Sequence, residues 1–274
     1  MSDLYDRLER TARILATRTG VDRHDVVAVL GSGLGGYPET LQNAVRVPYS
    51  ELPGFPLPRA VGHAGAAYSV QMGSNRVLLL AGRSHAYEGH PMDVVTFPIR
   101  VAILAGAGKV VLTNAAGGCG DGIDPGDLVL ISDHINMAGI SPLMGENDER
   151  LGPRFPDMST VYTPELRAKA HRIAADIGLT LREAVYFWWH GPMFETPAEV
   201  RMAKALGAGL VGMSTVPEAT AARHMGADVL GLSLCTNRAA GMSATPLSAE
   251  EVIEAAAEAS GRLQALFDRL LPAL

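Results

Sequence analysis

Seven short apolar runs, at residues 26–30, 77–80, 110–112, 128–131, 184–189, 210–213 and 229–234, punctuate the chain, and most stop at Gly, Asn, Asp or Ser. Runs this short fall below helix length, and their near-continuous apolar character marks strands buried on both faces. Stretches with a helical period lie between several of them, at 93–107, 164–177, 197–206 and 216–225. Alternation of buried strands with helices constrains the chain to an α/β fold with a largely parallel or mixed sheet. Two more helices frame it. Over residues 3–19, Leu4, Leu8, Ala12, Leu15 and Ala16 fall near one face. The last helix opens on Ser248 with Glu251 three residues later, a capping box, and carries the stripe Val252, Ile253, Ala256, Leu263, Leu266, Phe267 and Leu270. No repeat, low-complexity tract or linker divides the 274 residues, so 1–274 read as a single domain. The one long irregular stretch is 141–159, SPLMGENDERLGPRFPDMS. Its prolines, glycines and charges predict a surface loop, and loops of this length within a domain tend to be functional.

With 47% hydrophobic residues the chain has ample material for a large core. A formal net charge of −6 argues against bulk nucleic-acid binding, which needs a basic face. It leaves small anions open, because a few N–H groups and one Arg suffice for them. The two cysteines, Cys119 and Cys235, form no C-x-x-C pattern and suggest neither a disulfide framework nor a thiolate zinc site. The charged N-terminal segment lacks the apolar core of a signal peptide, and no window approaches a membrane span. A cytoplasmic location is expected.

Directly after the first apolar run stands GSGLGG, which spells G-x-G-x-x-G through Gly31, Gly33 and Gly36. A dinucleotide fingerprint would continue into a helix and a second strand ending in an acid. Here Pro38, Pro48, Pro53, Pro56 and Pro58 crowd the next stretch, so that reading is weak. A phosphate cradle remains, with glycine N–H groups and the Ser32 hydroxyl as donors, and so does a tight turn with no ligand. Other run ends have the same character. Arg83 and His85, two apart, point to one side of an extended segment and can grip an oxyanion; alternatively Arg83 pairs with an acid. NAAGG after 110–113 lets a ligand approach backbone N–H groups, and Ser214 follows the run at 210–213. Ligands gather at the carboxyl ends of strands in such sheets. Spacing offers no metal site among His63, His85, His90 and His134, and no G-x-S-x-G elbow for a hydrolase. Glu195, behind the aromatic run Tyr186-Phe187-Trp188-Trp189, and Asn237, after the last strand run, suit the edge of a flat heterocycle. Thr196 and Pro197 also make Glu195 readable as part of a helix start, and Asn237 as a turn residue.

Taken in order, GSGLGG, VGHAG, GRSHAYEGHP, TNAAGG, GDLVLISDHIN, NDERLGPRFPDMS, GPMFETPAEVRM, VGMSTVPE and SLCTNRAAG resemble the trimeric purine nucleoside phosphorylase family, from about residue 26 to the last helix. The resemblance implies a nucleoside phosphorylase fold, a central mixed sheet partly closed into a barrel and flanked by helices. It implies a homotrimer that cleaves purine (deoxy)ribonucleosides with phosphate as co-substrate and without metal or organic cofactor. By the same resemblance the phosphate site falls on Ser32, Arg83, His85, the Ala115 N–H and Ser214, with His63 nearby. Purine contacts fall on Glu195 and Asn237, with Phe194, Val211 and Met213 around base and sugar and Tyr87 beside the ribose. Asn237, Glu195 and His85 carry the catalytic roles, and Phe155 reaches into a neighbouring subunit's site. Inosine and guanosine are the substrates implied.

Two departures stand against that pattern. Met193 in GPMFET stands where a small or polar residue is commoner in the family, and Ala249 stands where the family usually has a histidine that contacts the ribose 5′-hydroxyl. An alanine cannot donate there, which keeps a 5′-methylthionucleoside phosphorylase as the alternative. A non-catalytic nucleoside-binding protein is the competing class. Ala249→His is expected to raise kcat/KM for inosine by about tenfold relative to 5′-methylthioinosine, the worth of one hydrogen bond; steady-state kinetics on both substrates check it.

Overall fold

The computed structural model describes residues 3–31, 33–57, 65–243 and 248–274, with backbone alone for 249–253. The chain opens with α1 (Leu4–Thr19), β1 (Val26–Leu30), β2 (Val45–Pro48), β3 (Ala66–Met72) and β4 (Asn75–Ala81). Two short helices, α2 (Met92–Val95) and α3 (Phe97–Leu104), lead to β5 (Lys109–Gly118) and β6 (Leu128–Asn136). Then follow α4 (Pro164–Asp176), β7 (Leu181–Trp188), α5 (Pro197–Ala205), β8 (Ala208–Gly212), α6 (Val216–His224), β9 (Asp228–Arg238) and α7 (Ala249–Ala273).

All these strands join one mixed sheet in the order β2-β3-β4-β1-β5-β8-β7-β6-β9. β9 also pairs in parallel with β5, so β5, β8, β7, β6 and β9 close into a barrel while β1 to β4 extend from it. The α/β class, the partly closed sheet and the flanking helices agree with expectation. β1 explains why its run is apolar throughout. Val27 and Val29 face one core with Leu8, Leu15 and Phe97, while Val26, Ala28 and Leu30 face another with Leu263, Leu266 and Phe267. A strand covered on both sides has no polar face to show.

Several elements differ from the sequence reading. β2 and β3 were not expected; β2 is a short edge strand with two exposed residues, so it carries little apolar signal. The helical pattern at 93–107 is two helices, because Thr96 closes one and caps the next with Pro98 in its first turn. NAAGG does not follow the strand that carries the 110–113 run. It is the second half of β5, and Asn237 lies within β9. Small residues pass for loop by composition, yet here the ladder with β9 keeps them extended. Ser248 does stand just before α7, while the Glu251 side chain lies outside the described residues.

The glycine loop sits under α7. Gly33 has φ +86°, and a β-carbon there would lie 2.6 Å from the Ala256 carbonyl oxygen. Gly33→Ala therefore meets both an unfavourable backbone conformation and a helix that cannot move aside. It is expected to lower unfolding free energy by about 2 kcal/mol or more, read from the denaturant midpoint at unchanged m-value.

Candidate active site

At the carboxyl ends of β1, β4, β5, β8 and β9 a single pocket opens. Its lining includes Gly31, Arg83, His85, Tyr87, Asn114, Ala115, Phe194, Glu195, Val211, Met213, Ser214, Thr236 and Asn237. Of the residues expected from sequence, Arg83, His85, Tyr87, Ala115, Phe194, Glu195, Val211, Met213, Ser214 and Asn237 thus meet in one place. Ser32 and His63 lie outside the described residues, as does the Ala249 side chain. Phe155 does not line this pocket; it stands 89% exposed on the long irregular stretch.

One end of the pocket is built from hydrogen-bond donors. Arg83 Nη1 donates to Ser214 Oγ at 3.1 Å and to Thr215 Oγ1 at 3.3 Å, and Asn114 Nδ2 donates to Thr215 Oγ1 at 2.8 Å. With both lone pairs of the Thr215 hydroxyl engaged, its own proton goes to Ser214 Oγ, 3.1 Å away. Ser214 then accepts twice, so its proton is left for whatever enters the pocket. Arg83 Nη2 is buried with no hydrogen-bond partner among the described residues, another donor awaiting an acceptor. Thr215 holds this arrangement at a cost. Its φ of 71° and ψ of −48° form the strained γ-turn that links the Ser214 carbonyl to the Val216 N–H and starts α6. Arg83 is no surface cation. Its Nε lies 3.3 Å from Glu218 Oε2, and both side chains are buried.

His85 completes that end. Its Nδ1 is 3.2 Å from Glu88 Oε1, its backbone N–H donates to the same oxygen at 2.7 Å, and its ring stacks on Tyr87 with centroids 4.8 Å apart. Burial, with Arg83 nearby, pushes its pKa down to about 4, against the smaller upward pull of Glu88. The imidazole is therefore neutral at pH 7.

The other end reads a polar edge. Glu195 is 8% exposed, and its Oε1 is buried with no hydrogen-bond partner among the described residues. Burial raises its pKa. Asn237 owes its place to a bulge. Ala116 pairs with Cys235 and Gly117 with Asn237, so Thr236 is the extra residue on β9. The Thr236 hydroxyl donates to Asn237 Oδ1 at 2.9 Å, and Asn237 Nδ2 gives one N–H to the Arg238 carbonyl at 3.0 Å. The amide is thereby fixed in sense and retains a second N–H. Gly117 and Gly212 keep the walls thin. A β-carbon on Gly117 would lie 3.3 Å from Asn237 Nδ2, and one on Gly212 would collide with the Tyr186 hydroxyl.

Asn114, Thr215, Glu218 and Thr236 were not singled out from sequence. They act through other side chains, and only the proximity of β5, α6 and β9 reveals them. NAAGG, STVPE and SLCTNRAAG contained them, but no spacing rule marks contacts between side chains of distant segments. No group of three or more His, Cys, Asp or Glu side chains with metal-binding geometry occurs among the described residues. No helix of the described residues is long and apolar enough to cross a membrane.

Comparison with known proteins agrees with this architecture. Residues 25–272 match the phosphorylase superfamily model. The chain is 50% identical over 226 residues to purine nucleoside phosphorylase 1 of Geobacillus stearothermophilus, covering 82% of each chain. It is 49% identical to the purine nucleoside phosphorylase of Mycobacterium tuberculosis, covering 94% of this chain and 92% of that one. The crystal structure of Schistosoma mansoni purine nucleoside phosphorylase in complex with inosine superposes with a TM-score of 0.92 at 32% identity, covering 98% and 96% of the two chains. The same enzyme in complex with adenosine gives 0.91 at 33% identity, covering 98% and 97%. The chain belongs to the phosphorylase superfamily and, within it, to the purine nucleoside phosphorylases.

The depressed His85 pKa gives a pH dependence of defined sign. Between the ordinary imidazole value near 6.5 and about 4, the unfolded chain binds a proton that the native chain does not. The stabilising contribution is present above that window and is lost as pH falls through it, on the order of 3 kcal/mol for this group. The raised carboxyls of Glu195 and Glu218 act in the opposite sense. A denaturation series from pH 7.5 to 4.5 is therefore expected to fall less steeply for His85→Asn than for the wild type.

Proposed function

We propose that the chain catalyses phosphorolysis of 6-oxopurine ribo- and deoxyribonucleosides, giving the free purine and (deoxy)ribose 1-phosphate. The observation behind this reading is one pocket with an anion cradle at one end and a carboxylate–amide pair at the other. Tyr87, Phe194, Val211 and Met213 lie among the residues that line it.

The chemistry follows from where charge develops. As a phosphate oxygen bonds to C1′ and the C1′–N9 bond breaks, the sugar passes through a cationic stage and the bonding pair enters the purine. Ser214, Arg83, the Ala115 N–H and His85 hold the phosphate beneath C1′, with Ser32 and His63 assigned to the same anion by resemblance. The second N–H of Asn237 donates to purine N7, and this bond strengthens as N7 gains charge. Glu195 accepts from N1–H, which a 6-oxopurine carries. An adenine presents a lone pair at that atom, so an ionised Glu195 disfavours it. Every assigned step uses side chains, backbone and phosphate, with no metal or organic cofactor. We assign Phe155 to the pocket of a neighbouring copy in a homotrimer. Its 89% exposure, with Met144 at 71% and Met193 at 77%, leaves apolar side chains for another subunit to cover.

Phosphate-dependent cleavage of inosine tests the reading, followed as hypoxanthine release with and without phosphate. Asn237→Ala is expected to lower kcat/KM by about 100-fold or more, the usual worth of a donor to developing charge. Cleavage at equal rate without phosphate, or none with it, overturns the assignment. A panel adding adenosine and 5′-methylthioinosine separates the 6-oxo nucleoside reading from the methylthio one.

A further inference from the structure

We infer that Glu218 is the resident counter-ion of Arg83 and sets how tightly the site holds phosphate, by competing with the incoming anion for the same guanidinium. This rests on the reading of Arg83 as a phosphate ligand. Glu218 occupies the third position of α6, and its side chain is 7% exposed. Its Oε2 lies 3.3 Å from Arg83 Nε, and the Thr215 N–H also holds the carboxylate. Burial pushes its pKa up, while the guanidinium and the Thr215 N–H pull it down. The separation is that of an ion pair, yet the Nε–H is not aligned for a hydrogen bond. Charge is therefore the main link between the two side chains. Around the cradle, the Arg83 charge is matched by Glu218, and the His85 imidazole beside Glu88 is neutral. The described side chains thus give the pocket no excess positive charge, and it recognises its anion through aimed donors.

Two effects of removing Glu218 can be weighed. If it only steadied the fold, its loss would weaken every ligand in parallel. If it competes with phosphate, its loss leaves a buried guanidinium uncompensated, and an entering anion relieves that condition. Charges several ångströms apart at an effective dielectric near 20 interact strongly enough to change affinity by about tenfold. Tighter binding of ground-state phosphate does not help turnover, because it is not specific to the transition state.

The test is Glu218→Gln, which keeps shape and an acceptor for the Thr215 N–H but removes the charge. Titration calorimetry with inorganic phosphate alone is expected to give a Kd about tenfold lower than for the wild type. The hypoxanthine Kd should stay within about twofold, and kcat for inosine should fall while the phosphate KM falls with it. Glu218→Asp, which keeps the charge but draws it away from Arg83, should tighten phosphate less and serves if the amide variant does not fold. An unchanged or raised phosphate Kd in the variant that folds overturns the inference, as does parallel weakening of phosphate and hypoxanthine. The phosphate titration needs no nucleoside cleavage, so failure here is distinct from failure of inosine phosphorolysis by the wild type.

Discussion

The parallel ladder between β5 and β9 is the contact on which the rest depends. It runs from Lys109 opposite Asp228 to Gly118 opposite Arg238 and closes the barrel. It also sets Asn114 to Gly117 along Ser233 to Asn237, so both ends of the pocket take residues from one pair of strands. The bulge at Thr236 falls inside this ladder. A regular register would turn the following side chains to the other face of the sheet. One extra residue thus decides whether the Asn237 amide faces the pocket.

The two ends solve different electrostatic problems. At the base end, Glu195 is buried with one oxygen unpartnered among the described residues, which favours a ligand that brings its own N–H. At the anion end, paired carboxylates and a neutral imidazole remove any surplus charge. Direction rather than net charge then does the recognising, which suits a chain of net charge −6. The chain of hydroxyls from Thr215 to Ser214 supplies that direction, because each oxygen's lone pairs are already spoken for.

Much of this was legible in the sequence because buried strands announce themselves. Runs such as VVAVL and VLGLSLCT placed β1 and β9, and the polar residues just beyond such runs supplied Arg83, His85 and Ser214. What stayed hidden has a physical reason in each case. β2 is short and half solvated, so its pattern is faint. NAAGG lacks bulky side chains because Val211, Asn237 and Cys235 press against its glycines, and it therefore looks like loop. Glu218 follows a helix-starting proline, where an acid is ordinary. Nothing local distinguishes a capping carboxylate from one that faces a buried guanidinium contributed by residue 83.

The backbone at Thr215 bears on how such a protein could adapt to heat. Glycine would take up that positive φ with little strain, so replacement there is an obvious way to relax the fold. The same exchange would delete the oxygen that receives both Asn114 and Arg83. Thermal adaptation and substrate capture therefore pull this one position in opposite directions. Lineages of hotter habitats would have to gain their robustness elsewhere in the chain.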